Sequence, residues 1–318
     1  MNCIRRLVSA LIARVLPGID GGRIWNRLDM HSPESGEILL EIRLMRWLQP
    51  WRRTLAAAML AFFLAGVWLV WSVGSALFAA APHGLAFAVP LLLGVLVHGL
   101  FILIVHECTH GNVFGRPVDD WVGNGAIGLL LLPFLAERYQ MVHRLHHRRA
   151  NQVGDTNWTP FRQRLFRRSR WLYALYELLP VVNNLDRIRE EVGRGRRSGV
   201  AFAWLCAAAT YGILQPPLAY WLLVVLGVNT INALRLWVEH FGHYAGRVSN
   251  TYYCPLGFGI GNHEVHHRYP RIPALVLAVG LALRRKDGSV LTGVRSLLFD
   301  KRYAHFRTFQ DDFTGDNV

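Results

Sequence analysis

The amino-acid sequence predicts an all-α integral membrane protein: four transmembrane helices in two hairpins, with a cytoplasmic helical cap that carries clustered histidines. Two charge-free runs, the placement of the arginines and the spacing of the histidines lead to that expectation. Of the 318 residues 52% are hydrophobic and the mean hydropathy is +0.22, which departs from an ordinary soluble domain. From Thr54 to Val105 there are 52 consecutive residues without Asp, Glu, Lys or Arg, and the 38 residues from Val200 to Trp237 contain one charge, Arg235. A bilayer core about 30 Å thick takes about 20 helical residues per crossing, so each run holds two. The expected spans are 54–79, 84–106, 200–215 and 218–238. Ala81-Pro82-His83-Gly84 turns the first hairpin and Pro216-Pro217 the second.

The basic residues orient these spans. Nine Lys and Arg fall in residues 1–53, fifteen in 107–199 and ten after His240; with Arg235 they make up all 35, and neither hairpin turn has any. By the positive-inside rule both termini and the middle segment share the cytoplasmic side, as in a bacterial inner (plasma) membrane. Topology therefore accounts for the net charge of +14, and a nucleic-acid footprint is not needed to explain it. The chain divides into a cytoplasmic N-terminal region (1–53), a membrane domain (54–275) and a cytoplasmic tail (276–318). In the first region Ile4, Leu7, Val8, Leu11, Ile12, Val15 and Leu16 recur at helical spacing. They describe an amphipathic helix lying on the membrane or packed on the protein's own cytoplasmic part. Cys3, Cys108, Cys206 and Cys254 form no CxxC pair, which argues against disulfides and thiolate zinc sites.

Eight of the 14 histidines lie in three five-residue windows: HECTH (His106, His110), HRLHH (His143, His146, His147) and HEVHH (His263, His266, His267). At i, i+3 and i+4 spacing each window turns one helix face into a set of imidazole ligands. The first follows the second span, the second lies in the basic middle segment and the third follows the fourth span, so all emerge on one side. The apolar stretches Trp121 to Ala136 and Ile272 to Leu283 must then be interfacial or re-entrant, because a crossing between windows would separate them. HECTH also fits the H-E-x-x-H of a zinc protease with Glu107 as general base. A catalytic zinc, however, takes three protein ligands and keeps one open position, which leaves most of these imidazoles unused. Eight suit two metals, and imidazole alone does not choose among iron, copper and zinc.

The order H-x3-H, H-x2-HH, H-x2-HH across four spans resembles the membrane fatty acid desaturase and hydroxylase family, and GNHEVHHRYPRIP is similar to its third box with trailing prolines. The resemblance runs over about residues 54–275. It implies a non-haem di-iron enzyme that uses O2 and two electrons from an external ferredoxin- or cytochrome-type donor. Its substrate would be a lipid acyl chain, desaturated or, at the same site, hydroxylated or ketolated. It also implies a further histidine ligand at the end of the fourth span, for which RLWVEHFGHY offers His240, the preferred choice, and His243. The stearoyl-CoA subtype has an Asn four residues before that histidine. Here Leu236 precedes His240 and Glu239 precedes His243, which turns the expectation from acyl-CoA toward an acyl-lipid, a carotenoid or a related substrate.

Glu107, Asp155, Glu239 and Glu264 lie beside or shortly after the candidate ligands, where a carboxylate can accept the outer ring N–H and orient the imidazole. A direct carboxylate ligand is an alternative for Glu239. GNGAIG at 123–128 matches G-x-G-x-x-G, but no strand precedes it, so it reads as small residues permitting close approach. The arginines of FRQRLFRRSRW (161–171) read as a loop against anionic headgroups or as a docking patch for an acidic electron donor. His98, inside the second span, reads as a core residue or part of a substrate channel. A membrane metal store or transporter competes with the enzyme reading, but transporters bind near the bilayer midplane.

Overall fold

The computed structural model describes residues 39–136, 138–150, 154–179, 197–240, 249–252, 259–283 and 289–299. Of these 82% are helical and none lies in a strand. The N-terminal amphipathic segment, His31, His243 and His305 lie outside the described residues.

Helix α1 (Leu39–Leu48) leads through a short 3-10 turn into α2, an α-helix at Arg52–Trp68 that continues as a π-helix at Leu69–Gly74 and an α-helix at Ser75–Ala80. Helix α3 follows the same plan: α at His83–Leu100, π at Phe101–His106, α at Glu107–His110. Then come α4 (Val118–Leu129), α5 (Arg138–Arg149), α6 (Pro160–Arg168), α7 (Arg170–Leu178), α8 (Arg197–Leu214) and α9 (Leu218–His240). After them lie α10 (His263–Arg268), α11 (Ala274–Leu283) and α12 (Val290–Phe299).

Four helical runs are long and apolar enough to cross a bilayer: Leu40–Ala80, Gly84–His110, Arg197–Leu214 and Leu218–His240. Apart from the C-terminal end of the third, which stops at Leu214 rather than 215, they reach or overrun the expected limits because a helix does not stop where charge begins. Arg52 and Arg53 are inside the first run, and HECTH completes the second rather than following it. The boundaries at 53/54 and 275/276 thus fall inside helices, and α12, in the expected tail, packs on α9 and α7. The third run, at 18 residues, rises about 27 Å, just short of the hydrocarbon thickness. It is 22% buried against 61% for the second, so α3 is the central helix and α8 a peripheral one. Apolar side chains such as Phe62, Trp68, Trp204, Leu205 and Ile213 face outward, as hydrocarbon requires.

The most extensive helix–helix contact among the described residues joins α3 to α9. A Cβ on Gly94 would lie 2.7 Å from Gly227 Cα, and one on Gly227 would strike the backbone of Leu91, so only glycine permits this approach. This contact, with His98 beside Asn232 one turn further along both helices, sets the two helices parallel and brings His106 level with His240. Helix α4, about 18 Å long, is too short to cross; it packs along α8 and the π-turn of α3. Gly125 and Gly128 serve the packing on α8: a Cβ on Gly128 would meet Cys206 Cβ at 2.7 Å.

Candidate metal centre

The first window sits on the last turns of α3. The π-turn ending at His106 is buried at every residue, and its wider loop rotates the following ligands relative to the membrane part of the helix. Gly111, at φ 78°, ends the helix in the left-handed conformation, with Gly111 N–H donating to Cys108 O and Asn112 N–H to Glu107 O. The second window occupies α5 and the third α10. His240 is the last residue of α9.

These elements gather nine imidazoles into two groups, His106, His110, His143, His147 and His266 in one and His146, His240, His263 and His267 in the other. Within each group the ligand atoms lie within 4.8 Å of one another. The Nε2 atoms of His106 and His266 are 3.1 Å apart, as are those of His110 and His143 and of His143 and His147. In the second group His263 Nε2 lies 3.2 Å from His240 Nε2 and 3.1 Å from His267 Nε2. Nitrogens bound at about 2.1 Å and right angles to one metal would be about 3.0 Å apart, so the spacing suits shared ligation. Neighbouring residues divide between the groups: His146 and His147 face different groups, and so do His266 and His267. The groups adjoin, with the rings of His147 and His267 stacked at 4.3 Å between centroids.

The cluster favours neutral rings. Burial, reinforced by neighbouring imidazoles, pushes His143, His263, His266 and His267 well below the ordinary histidine pKa, and His147 down to about 2. Their lone pairs are therefore available to a cation at neutral pH.

The four carboxylates take different places. Glu107 Oε1 is 2.9 Å from His106 Nδ1, while its Oε2 accepts from Asn112 Nδ2 at 3.2 Å and from Ala274 N at 2.9 Å, tying the first window to the start of α11. Asp155 Oδ1 is 2.8 Å from His146 Nδ1. In both cases the outer nitrogen is held and Nε2 is turned inward. Glu239 instead sends Oε2 to within 3.3 Å of His263 Nε2, the inward nitrogen, while Oε1 accepts from Arg235 Nη1 at 2.8 Å and Tyr252 Oη at 2.7 Å. Among the described residues Glu264 meets no histidine: it accepts from Ser249 N at 3.1 Å and from Arg268 Nε at 2.9 Å, because one residue past His263 the helix turns its side chain off the ligand face.

Sequence reasoning passed over Arg235, Tyr252 and Asn112. The i, i+4 spacing of Arg235 and Glu239 was a readable signal, but nothing local points Tyr252 at Glu239. The arginines of 161–171 do not form one exposed patch. Arg162 is fully buried and pairs with Glu177, and Arg170 donates to Leu297 O at 3.3 Å and lies over Phe166. Basic groups concentrate instead at an opening of about 550 Å³ lined by Arg52, Arg116, Arg144, Arg148 and Arg271, with His110 and His147 in its wall. A second cavity lies between α3 and α9 and reaches His143, with His98, Phe101, Tyr139 and Leu236 on its wall.

With this geometry in hand, comparison with known proteins adds one match. The sequence model of the family described as fatty acid desaturase covers residues 82–278, a stretch that includes all nine clustered histidines. No curated protein matches the chain.

Proposed function

The chain belongs to the fatty acid desaturase family, and from that premise we propose that it is a membrane oxidoreductase that desaturates a lipid acyl chain with O2 at a two-iron centre. The ligands are His106, His110, His143, His146, His147, His240, His263, His266 and His267. The four apolar helices cross the membrane as two hairpins, leaving both termini and the cap with the centre in the cytoplasm. Electrons come from a separate ferredoxin- or cytochrome-type protein.

The observation that carries this reading is the pair of adjoining imidazole groups. A single protease zinc would leave one group without purpose, and Glu107, engaged with His106, Asn112 and Ala274, is not free to act as a general base. Bound iron would supply the reduction of O2 and the removal of hydrogen from an unactivated CH2. The chain's own residues do the positioning. Glu107 and Asp155 hold Nδ1–H of His106 and His146, which fixes the tautomer and leaves Nε2 as the donor. Arg235 and Tyr252 hold Glu239 against the second group, where its Oε2 stands beside an inward nitrogen. Phe101, Leu132, Val225 and Leu236 form the apolar part of the cavity that reaches His143, where a hydrocarbon chain would be aligned, while Asn229, Asn232 and Arg235 line its polar part.

Metal analysis with product mass spectrometry tests the proposal. About two irons per chain and a lipid product lacking two hydrogens are expected; gain of one oxygen would assign hydroxylation instead. His143→Ala and His267→Ala, one from each group, should lose iron and activity together. One zinc per chain, or full activity in both variants, would overturn it.

A further inference from the structure

The cavity between α3 and α9 has a lining that a plain hydrocarbon does not need. It follows α9 from Val225 to Leu236, about 16 Å of helix, and touches His143 of the first imidazole group. One side is apolar: Phe101, Leu132, Phe134, Leu135, Val225 and Val228. His98 and Asn232 also line it, two helical turns, or about 12 Å, on the membrane side of His106 and His240. His98 is 3% exposed and the Asn232 amide lies beside its ring, but among the described residues neither ring nitrogen has a partner at full hydrogen-bonding geometry. A buried polar group beside hydrocarbon is costly unless a partner is supplied, and inside a membrane it marks a functional position.

We propose that His98 and Asn232 form a polar subsite for an oxygen-bearing lipid, whose hydroxyl or carbonyl group hydrogen-bonds there, along the same cavity as the carbon held at His143. The imidazole can donate or accept and the amide does both, so either oxygen function is satisfied. A saturated hydrocarbon of the same length fits the apolar wall but leaves both side chains without that partner, and such a site discriminates against it. Neither residue belongs to the imidazole groups, so the subsite acts on which lipid is chosen and on which carbon reaches the metal. This assignment rests on reading the cavity as the substrate's route to the centre.

Equilibrium binding to the metal-loaded protein in nanodiscs tests it without turnover, using radiolabelled 1-hexadecanol and n-hexadecane corrected for uptake by empty discs. The wild type should favour the alcohol about tenfold, the equivalent of roughly 1.4 kcal/mol or one hydrogen bond. His98→Leu and Asn232→Leu should each abolish the preference while metal content stays unchanged, and His98→Gln should retain most of it. Equal binding of the two probes by the wild type, or a preference that survives both Leu variants with metal intact, overturns the subsite. If a Leu variant loses metal, His98→Gln and the wild-type ratio still decide. A wild type that prefers the alcohol yet neither holds iron nor oxidises lipid would refute the oxygenase reading and leave the subsite standing.

Discussion

Replacing Glu107 by Gln removes one charge and no volume, and its consequence can be worked from three contacts. His106 Nδ1 lies 2.9 Å from Oε1, and Asn112 Nδ2 and Ala274 N lie 3.2 and 2.9 Å from Oε2. A carboxylate accepts from all three donors; a glutamine has one oxygen and one NH2. With the oxygen toward His106, the NH2 confronts both Asn112 and Ala274, and two buried contacts are lost at about 1–3 kcal/mol each. With the oxygen toward Asn112 and Ala274, the NH2 forces His106 Nδ1 to accept, moves the ring proton to Nε2 and takes that nitrogen's lone pair from the metal. Either arrangement should lower iron affinity by about 10–100-fold, which is roughly 1.4–2.7 kcal/mol. Iron loading measured against a competing chelator gives the affinity, and thermal unfolding of the metal-free protein separates the two orientations, since the first destabilises the fold and the second spares it. Unchanged affinity and unchanged Tm would refute the argument. Full iron with no turnover would restore Glu107 as a catalytic base.

Three further outcomes are expected. Gly227→Ala places a methyl group against the Leu91 backbone and should cost about 1–3 kcal/mol by forcing α3 from α9, read as a fall in Tm. No loss would mean the contact is looser than described. The metal-free protein should lose stability as pH falls below 6.5. His143, His263, His266 and His267 have folded-state pKa values well below that unfolded reference, so the unfolded chain binds more protons there; flat stability from pH 7 to 5 would contradict their burial as neutral rings. In a background without native cysteines, a membrane-impermeant thiol reagent on intact cells should label Ala81→Cys and spare Ser32→Cys, Ser169→Cys, Ser198→Cys and Ser289→Cys. Labelling at Ser169 without Ser289 would put the second and third windows on opposite faces, so that no common centre could form.

What the sequence determined by itself is what depends on neighbours along the chain. The four apolar helices were legible because a bilayer asks only for enough consecutive uncharged residues, and 54–105 and 200–234 satisfy that requirement without reference to anything distant. The facing of each histidine set was legible because i, i+3 and i+4 positions share a helix face whatever the helix packs against. Tertiary structure decided the rest. His146 and His147 are adjacent in sequence yet serve different groups, since consecutive side chains diverge by about 100° and only the positions of α3, α9 and α10 determine which partners each meets. The same dependence gives Glu239 a different place from Glu107 and Asp155, removes Arg162 from the surface to pair with Glu177, and sets His98 and Asn232 along one cavity. The long-range contacts among them, such as His106 with His266 and Glu107 with Ala274, join residues 160 and 167 positions apart, and they follow from how closely helices approach, as Gly94 and Gly227 allow, rather than from any local pattern.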